Sequence, residues 1–157
     1  MYETPDEILQ AARKLQLPQE RFRQVGPGRW QGVLDAILTR FTRTGDRNRS
    51  RRWLWEDFVE PTCSLQGEHG LEILLRMDEP HARVWLVVED SARTKRNGNF
   101  WVFECDLAAA VGVLENGPLL EFYLVAGSLS WLIAENHHAV LIGVGPHAVQ
   151  VLKAIAH

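Results

Sequence analysis

Only two cysteines, Cys63 and Cys105, occur in 157 residues, far apart and without the spacing of metal ligands. That excludes a disulfide scaffold and points to reduced thiols in a cytoplasm. No apolar run approaches the roughly 20 residues that span a bilayer, so no membrane association is expected. The amino terminus, MYETPDEILQAARKL, lacks the charged-then-apolar order of a signal peptide. HEXXH, paired cysteines, G-x-S-x-G and the P-loop are all missing, so no cofactor and no metal is expected from a complete motif. A formal net charge of -3 argues against general affinity for nucleic acid or membrane surfaces.

What is present is an ordinary globular balance, 46% hydrophobic and 24% charged residues, in a length that buries a core without staples. Thr4-Pro5-Asp6-Glu7 reads as a capping box with proline at the first helical position. Ile8, Ala11, Ala12 and Leu15 carry that helix to about Leu17, before Pro18. QVGPGRW punctuates, and Val33, Leu34, Ile37, Leu38 and Phe41 mark a second helix. Gly70–Met77 reads as a short helix with Leu71, Leu74 and Leu75 inward.

From residue 83 the period changes from helical to alternating. RVWLVVED, NFWVFECD, LEFYLVAG, LSWLIAEN and AVLIGVG are rich in β-branched and aromatic residues, each bounded by turn formers. Asn97-Gly98 suits a tight hairpin turn. Asp106 is a candidate N-cap for a helix over DLAAAVGVLENG, which Gly117-Pro118 ends. PHAVQVLKAIA forms a terminal helix, with Pro146 at its first turn. Gly143-Val144-Gly145 precedes it at a strand-to-helix junction where amides could hold an anion, although Pro146 removes one of them.

These elements predict an α+β fold: a largely antiparallel five-stranded sheet with helices packed mainly on one face, two N-terminal helices and a C-terminal helix. A single domain, 1–157, divides into an N-terminal helical part (1–44), a basic loop (45–52), and sheet and helices (53–157).

Three features could carry function. The first is the basic loop: Arg40, Arg43, Arg47, Arg49, Arg51 and Arg52 lead directly to Trp53 and Trp55. Such runs are more often solvated connections, but this one could grip an acidic protein partner, more readily than nucleic acid given the overall charge. The second is a set of six tryptophans, of which Trp85, Trp101 and Trp131 sit mid-strand. They fill a core if helices cover them, and make a partner-binding surface if one sheet face is open.

The third is WLIAENHH, where a buried-looking strand turns polar. Alternation puts Trp131, Ile133, Glu135 and His137 on one face. Glu135 and His137 are candidates for acid/base work or metal ligation, with Glu104 assisting if strand order permits. The plainer reading is a polar turn, in which Asn136 and histidine side chains satisfy backbone groups.

WEDF (55–58), KRNGNFWVFE (95–104), EFYLV (121–125) and WLIAENHHAVLIGVG (131–145) together resemble a bacterial family of small proteins without an assigned function. In that family W-E-D-F precedes N-G-N-x-W-x-x-E and a W-L-x-x-E-N-H-H-x-x-L-I-x-x-G hairpin. The resemblance implies a bacterial cytoplasmic origin and an α+β fold, and transfers no catalytic residue. Size and single-sheet architecture are also similar, by analogy alone, to small toxin-immunity proteins.

The expectation is therefore a non-enzymatic protein-binding module, immunity-like in form. Trp53, Trp55, Trp101, Trp131, Asn136, Arg49, Arg51 and Arg52 are its contact candidates. The alternative is a small hydrolase-type enzyme using Glu135 and His137, with Glu104.

Overall fold

The computed structural model describes residues 4–43, 45, 57–59, 61–66, 70–89, 100–118, 121–136 and 138–156. The Thr4 side chain, the turn at Asn97-Gly98 and most of the basic loop lie outside them.

The fold is α+β, built on a seven-stranded, wholly antiparallel sheet. In chain order the elements are α1 (Thr4–Lys14), β1 (Phe22–Gln24), α2 (Trp30–Phe41), β2 (Thr62–Leu65) and a 3-10 helix (Leu71–Arg76). There follow β3 (Arg83–Glu89), β4 (Phe100–Asp106), α3 (Leu107–Asn116), β5 (Glu121–Ala126), β6 (Leu132–Glu135), β7 (Leu141–Val144) and α4 (Pro146–Ala156). Strand order across the sheet is β1-β4-β3-β5-β6-β7-β2.

All five strands predicted from alternation are present. The two additional ones, β1 and β2, are the sheet's edges, three and four residues long. β1 carries less than two periods of alternation, and β2, as long as β6 and β7, buries only Leu65, so no apolar pattern announces either; short edges are also how sheets limit unwanted pairing.

α1 ends sooner than the sequence suggests. Its last turn closes with Leu17 N–H donating to Ala12 O and Gln16 N–H donating to Arg13 O, with Gln16 at φ 56°. That is a Schellman stop, here with glutamine in the left-handed position that glycine usually takes. In the 3-10 helix Leu74 and Met77 are buried, whereas Leu75 is exposed, because a three-residue turn rotates it away from the core.

The main correction concerns the second sheet face. Four helices do gather on one side. Ile8, Ala11 and Ala12 of α1, Leu107–Val113 of α3, Ala148 and Leu152 of α4, and Leu74 of the 3-10 helix pack on Val84, Leu86, Phe103, Phe122, Leu124 and Ile133. The other side is covered too. Leu34, Ile37, Leu38 and Phe41 of α2, with Phe58, bury Val87, Val102, Tyr123, Val125 and Leu132. Leu38 and Phe41 are wholly buried, each contributing about 1.5–3 kcal/mol relative to exposure. Thr42 and Phe58 form a bridge that returns the chain along this face, and the Phe58 ring meets Tyr123 edge-on at 6.2 Å. Among the described residues, helices or chain segments lie against both sheet faces.

Trp131, expected as an exposed indole, is 2% exposed within the first core. Trp85 and Trp101 are half-buried on opposite faces, packed at the margins of the two cores. Both cysteines are free, and burial pushes the Cys105 thiol far up, leaving it unreactive.

The Gly143-Val144-Gly145 junction serves packing. Gly145, at φ 97°, makes the turn into α4, and its amide donates to Pro61 O. A Cβ at Gly143 would stand 2.9 Å from Leu152 Cδ1 and 3.1 Å from Ala148 Cβ, so α4 lies directly on the β7 backbone. Gly143→Ala is expected to cost about 1–3 kcal/mol through overpacking, seen as a lower urea midpoint with an unchanged slope.

Candidate binding site at the β1–β4 edge

With both faces covered, the functional chemistry gathers at an edge. β1 pairs with β4 only over Phe22–Gln24, opposite Cys105, Glu104 and Phe103. One more bond, Val25 N–H to Val102 O, ends the ladder before the chain leaves at Gly26-Pro27. Arg29 and Trp30 amides both donate to Gly26 O, folding the loop back into α2. Between this loop and the start of β4 lies a cleft of about 550 Å3 lined by Gln24, Val25, Gly26, Pro27, Trp30, Phe100, Trp101 and Val102. Its volume falls within the range of ligand-sized pockets.

Phe100, Val102 and Glu104 alternate onto the same face of β4, so the next inward residue beyond the cleft floor is a carboxylate. Three guanidiniums surround it. Arg23 Nη2 is 2.9 Å from Glu104 Oε2, Arg83 Nη2 is 3.7 Å from Oε1, and Arg29 Nη1 is 3.9 Å from Oε2. The Arg23 hydrogen bond, opposed by partial burial and helped by Arg83 and Arg29, holds the Glu104 carboxyl below its ordinary value. One residue pair on, Arg21 Nε donates to Asp106 Oδ2 at 2.7 Å.

Asp106 is also the N-cap of α3, as its sequence position suggests, with Oδ1 accepting from Ala109 N–H at 2.7 Å. Burial pushes the Asp106 carboxyl up, but Arg21, the Ala109 amide and Arg83 outweigh it and hold the group below its ordinary value. Four arginines thus meet two carboxylates, and the edge carries surplus positive charge. α2 begins beside it with neither a side-chain cap nor an acidic residue in its first turn, which adds a partial positive charge.

A family model of unknown function matches residues 2–156. The chain belongs to this family, DUF6756. The match agrees with the resemblance read from the sequence at the level of a family without assigned function. No curated protein and no solved structure matches this DUF6756 chain.

The polar end of β6 resolves largely into a turn. Asn136 Oδ1 accepts from the amides of His138 and Val140, at 2.9 and 3.2 Å, and Asn136 O accepts from Ala139 N–H. Its side chain is thus engaged in shaping the β6–β7 hairpin. His138 is exposed. Glu135 is half-buried against the apolar first core, and desolvation raises its carboxyl above the ordinary value.

Glu104 does not assist it. β3 and β5 lie between their strands, and the two side chains alternate onto opposite faces. The Glu104, Glu135 and His137 constellation therefore does not assemble around Glu104. His137, Trp53, Trp55, Arg49, Arg51 and Arg52 lie outside the described residues. Among the described residues, no group of three His, Cys, Asp or Glu could hold a metal ion. Nor is any helix of theirs long and apolar enough to cross a membrane.

Of the predicted contact residues, Trp101 lines the edge cleft. Arg21, Arg23, Arg29 and Trp30 were not singled out from the sequence. Arg21-Phe22-Arg23, with charge alternating about one apolar residue, was the signal available for a strand edge. A second polar group was equally hidden. Glu89 and Glu121 stand directly opposite each other on β3 and β5, each 6% exposed, and the Tyr123 hydroxyl donates to Glu89 Oε2 at 2.8 Å.

Two stability measurements follow from the carboxylates. Asp106→Ala is expected to lose about 1–2 kcal/mol at neutral pH, mostly the helix cap, since the Arg21 pair is partly solvent-screened. Because the folded Asp106 value is depressed, this deficit should shrink as the pH falls below about 4, towards the folded value. Urea titrations across that range check it. For Glu135 the sign reverses: its raised folded value removes stability as the pH rises past about 4.3. Glu135→Gln should therefore raise the urea midpoint at pH 7 and leave it nearly unchanged at pH 3.

Proposed function

We propose that this chain is a non-enzymatic protein-binding module of the bacterial cytoplasm, and that it recognises an acidic partner through the β1–β4 edge. The observation that carries the reading is the imbalance around Glu104 and Asp106. Arg23 and Arg29 remain 49% and 59% exposed in their side chains while sharing one carboxylate. Guanidiniums left partly free in a fixed array match carboxylates in geometry as well as in charge. An incoming acidic group would meet Arg29, the most loosely held of the three around Glu104, before it disturbed any tighter pair.

The covering of both sheet faces also supports an edge rather than a face as the contact. The net charge of -3 favours an acidic protein over nucleic acid only through this local surplus, since the chain as a whole would repel a polyanion weakly. An immunity-like role, in which the chain blocks a partner by occupying it, is one form of the reading. Arg49, Arg51, Arg52, Trp53 and Trp55 would extend the same basic, aromatic surface if they fold beside it.

Capture from the native host, followed by reconstitution with the purified partner, tests this. Binding should weaken as salt rises, and the Arg23→Gln/Arg29→Gln double variant, which sets no carboxylate opposite Glu104, should bind about tenfold or more weakly while remaining folded by circular dichroism. Salt-independent binding that the double variant retains would sink the acidic-partner reading, and so would tight binding to labelled RNA with no protein partner found.

A further inference from the structure

Arginines alone give charge recognition with little selectivity, and the cleft beside them supplies what they lack. Its floor, Phe100 and Val102, is continuous with Glu104 along one face of β4. Val25, Pro27 and Trp30 line it beside that floor, and Trp101, whose indole packs toward the first core, borders it. Residues two apart on a strand stand about 7 Å from one another. The apolar cleft and the arginine ring are therefore spaced like alternate residues of an extended chain.

Resting on the reading above, we infer that the partner presents an extended segment in which a bulky apolar side chain lies two residues from a carboxylate. The apolar group inserts over Phe100 and Val102 beside Trp30, and the carboxylate is taken by Arg29 and Arg23. Charge complementarity selects an acidic segment as the occupant. The volume of about 550 Å3 exceeds one side chain and leaves room for its neighbours. A tryptophan such as Trp30 in a pocket is among the residues that most often dominate binding energy, because it buries large rigid area at low entropic cost. The cleft is bounded by a strand, a tight loop and a helix start, so it is formed before the ligand arrives and little ordering is needed on binding.

Gly26 lines the cleft and accepts a side chain without a clash. A Cβ there would have no heavy atom within 4 Å, and its backbone is not in the left-handed region.

Three labelled peptides provide the test, read by fluorescence anisotropy. One carries Glu-x-Phe-x-Glu, the second replaces Phe by Ala, and the third replaces both Glu by Lys. The first should bind, and the other two should bind about tenfold or more weakly. Gly26→Leu should weaken the first peptide about tenfold and leave the thermal midpoint unchanged. On the wild-type protein, the Trp30 indole N–H resonance should shift with the first peptide.

Equal binding of the Phe and Ala peptides would overturn the cleft inference while leaving acidic recognition standing. Equal binding of the Lys peptide would overturn the acidic reading itself. Binding of the first peptide that leaves the Trp30 indole resonance unmoved places the segment elsewhere and also overturns the inference. Failure of all three peptides at millimolar concentration, together with a confirmed acidic partner, overturns the linear-segment inference alone.

Discussion

A sheet whose two faces are both buried has only its edges, its strand ends and its loops to offer another molecule. That constraint organises this protein. The strands at the centre of the sheet alternate large apolar side chains to both sides, Leu86 against Val87 on β3 and Phe103 against Val102 on β4, so one layer holds two cores apart and joins them. Backbone polar groups within the layer are paired across antiparallel neighbours, as burial demands. What remains unsatisfied by this arrangement is displaced to the margins.

At the β1–β4 margin the displacement has a particular form. β1 is too short to cover β4, and the loop that replaces it must climb from the sheet to the start of α2. The climb leaves a cleft, and the strand it abandons brings a carboxylate ringed by arginines to the cleft's end. Charge and apolar surface are thus adjacent for a geometric reason, the alternation of β4. The opposite margin is different. There β2 and β7 pair over four residues and α4 lies across them on Gly143, so the edge is short and closely packed.

At the end of β6 the polar residues Glu135 and Asn136 divide their labour. Asn136 closes the turn, where its carbonyl replaces a backbone acceptor for two amides. Glu135 stays half-buried at a cost reflected in its raised carboxyl. Neither needs a substrate to account for it, and Glu104 is held by arginines on the far side of the sheet.

By itself the sequence determined the five inner strands, both amphipathic N-terminal helices, the Asp106 cap, the terminal helix and the α+β class. Each of these depends on residues close in the chain: period, capping and turn chemistry are local. Tertiary structure alone decided that α2 closes the second face, that Trp131 is core, and that Glu104 and Glu135 lie apart. It also decided that Arg21, Arg23, Arg29 and Arg83 converge, and that Glu89 faces Glu121. Those outcomes depend on strand order and on two edge strands without an apolar period, and neither is encoded between neighbours.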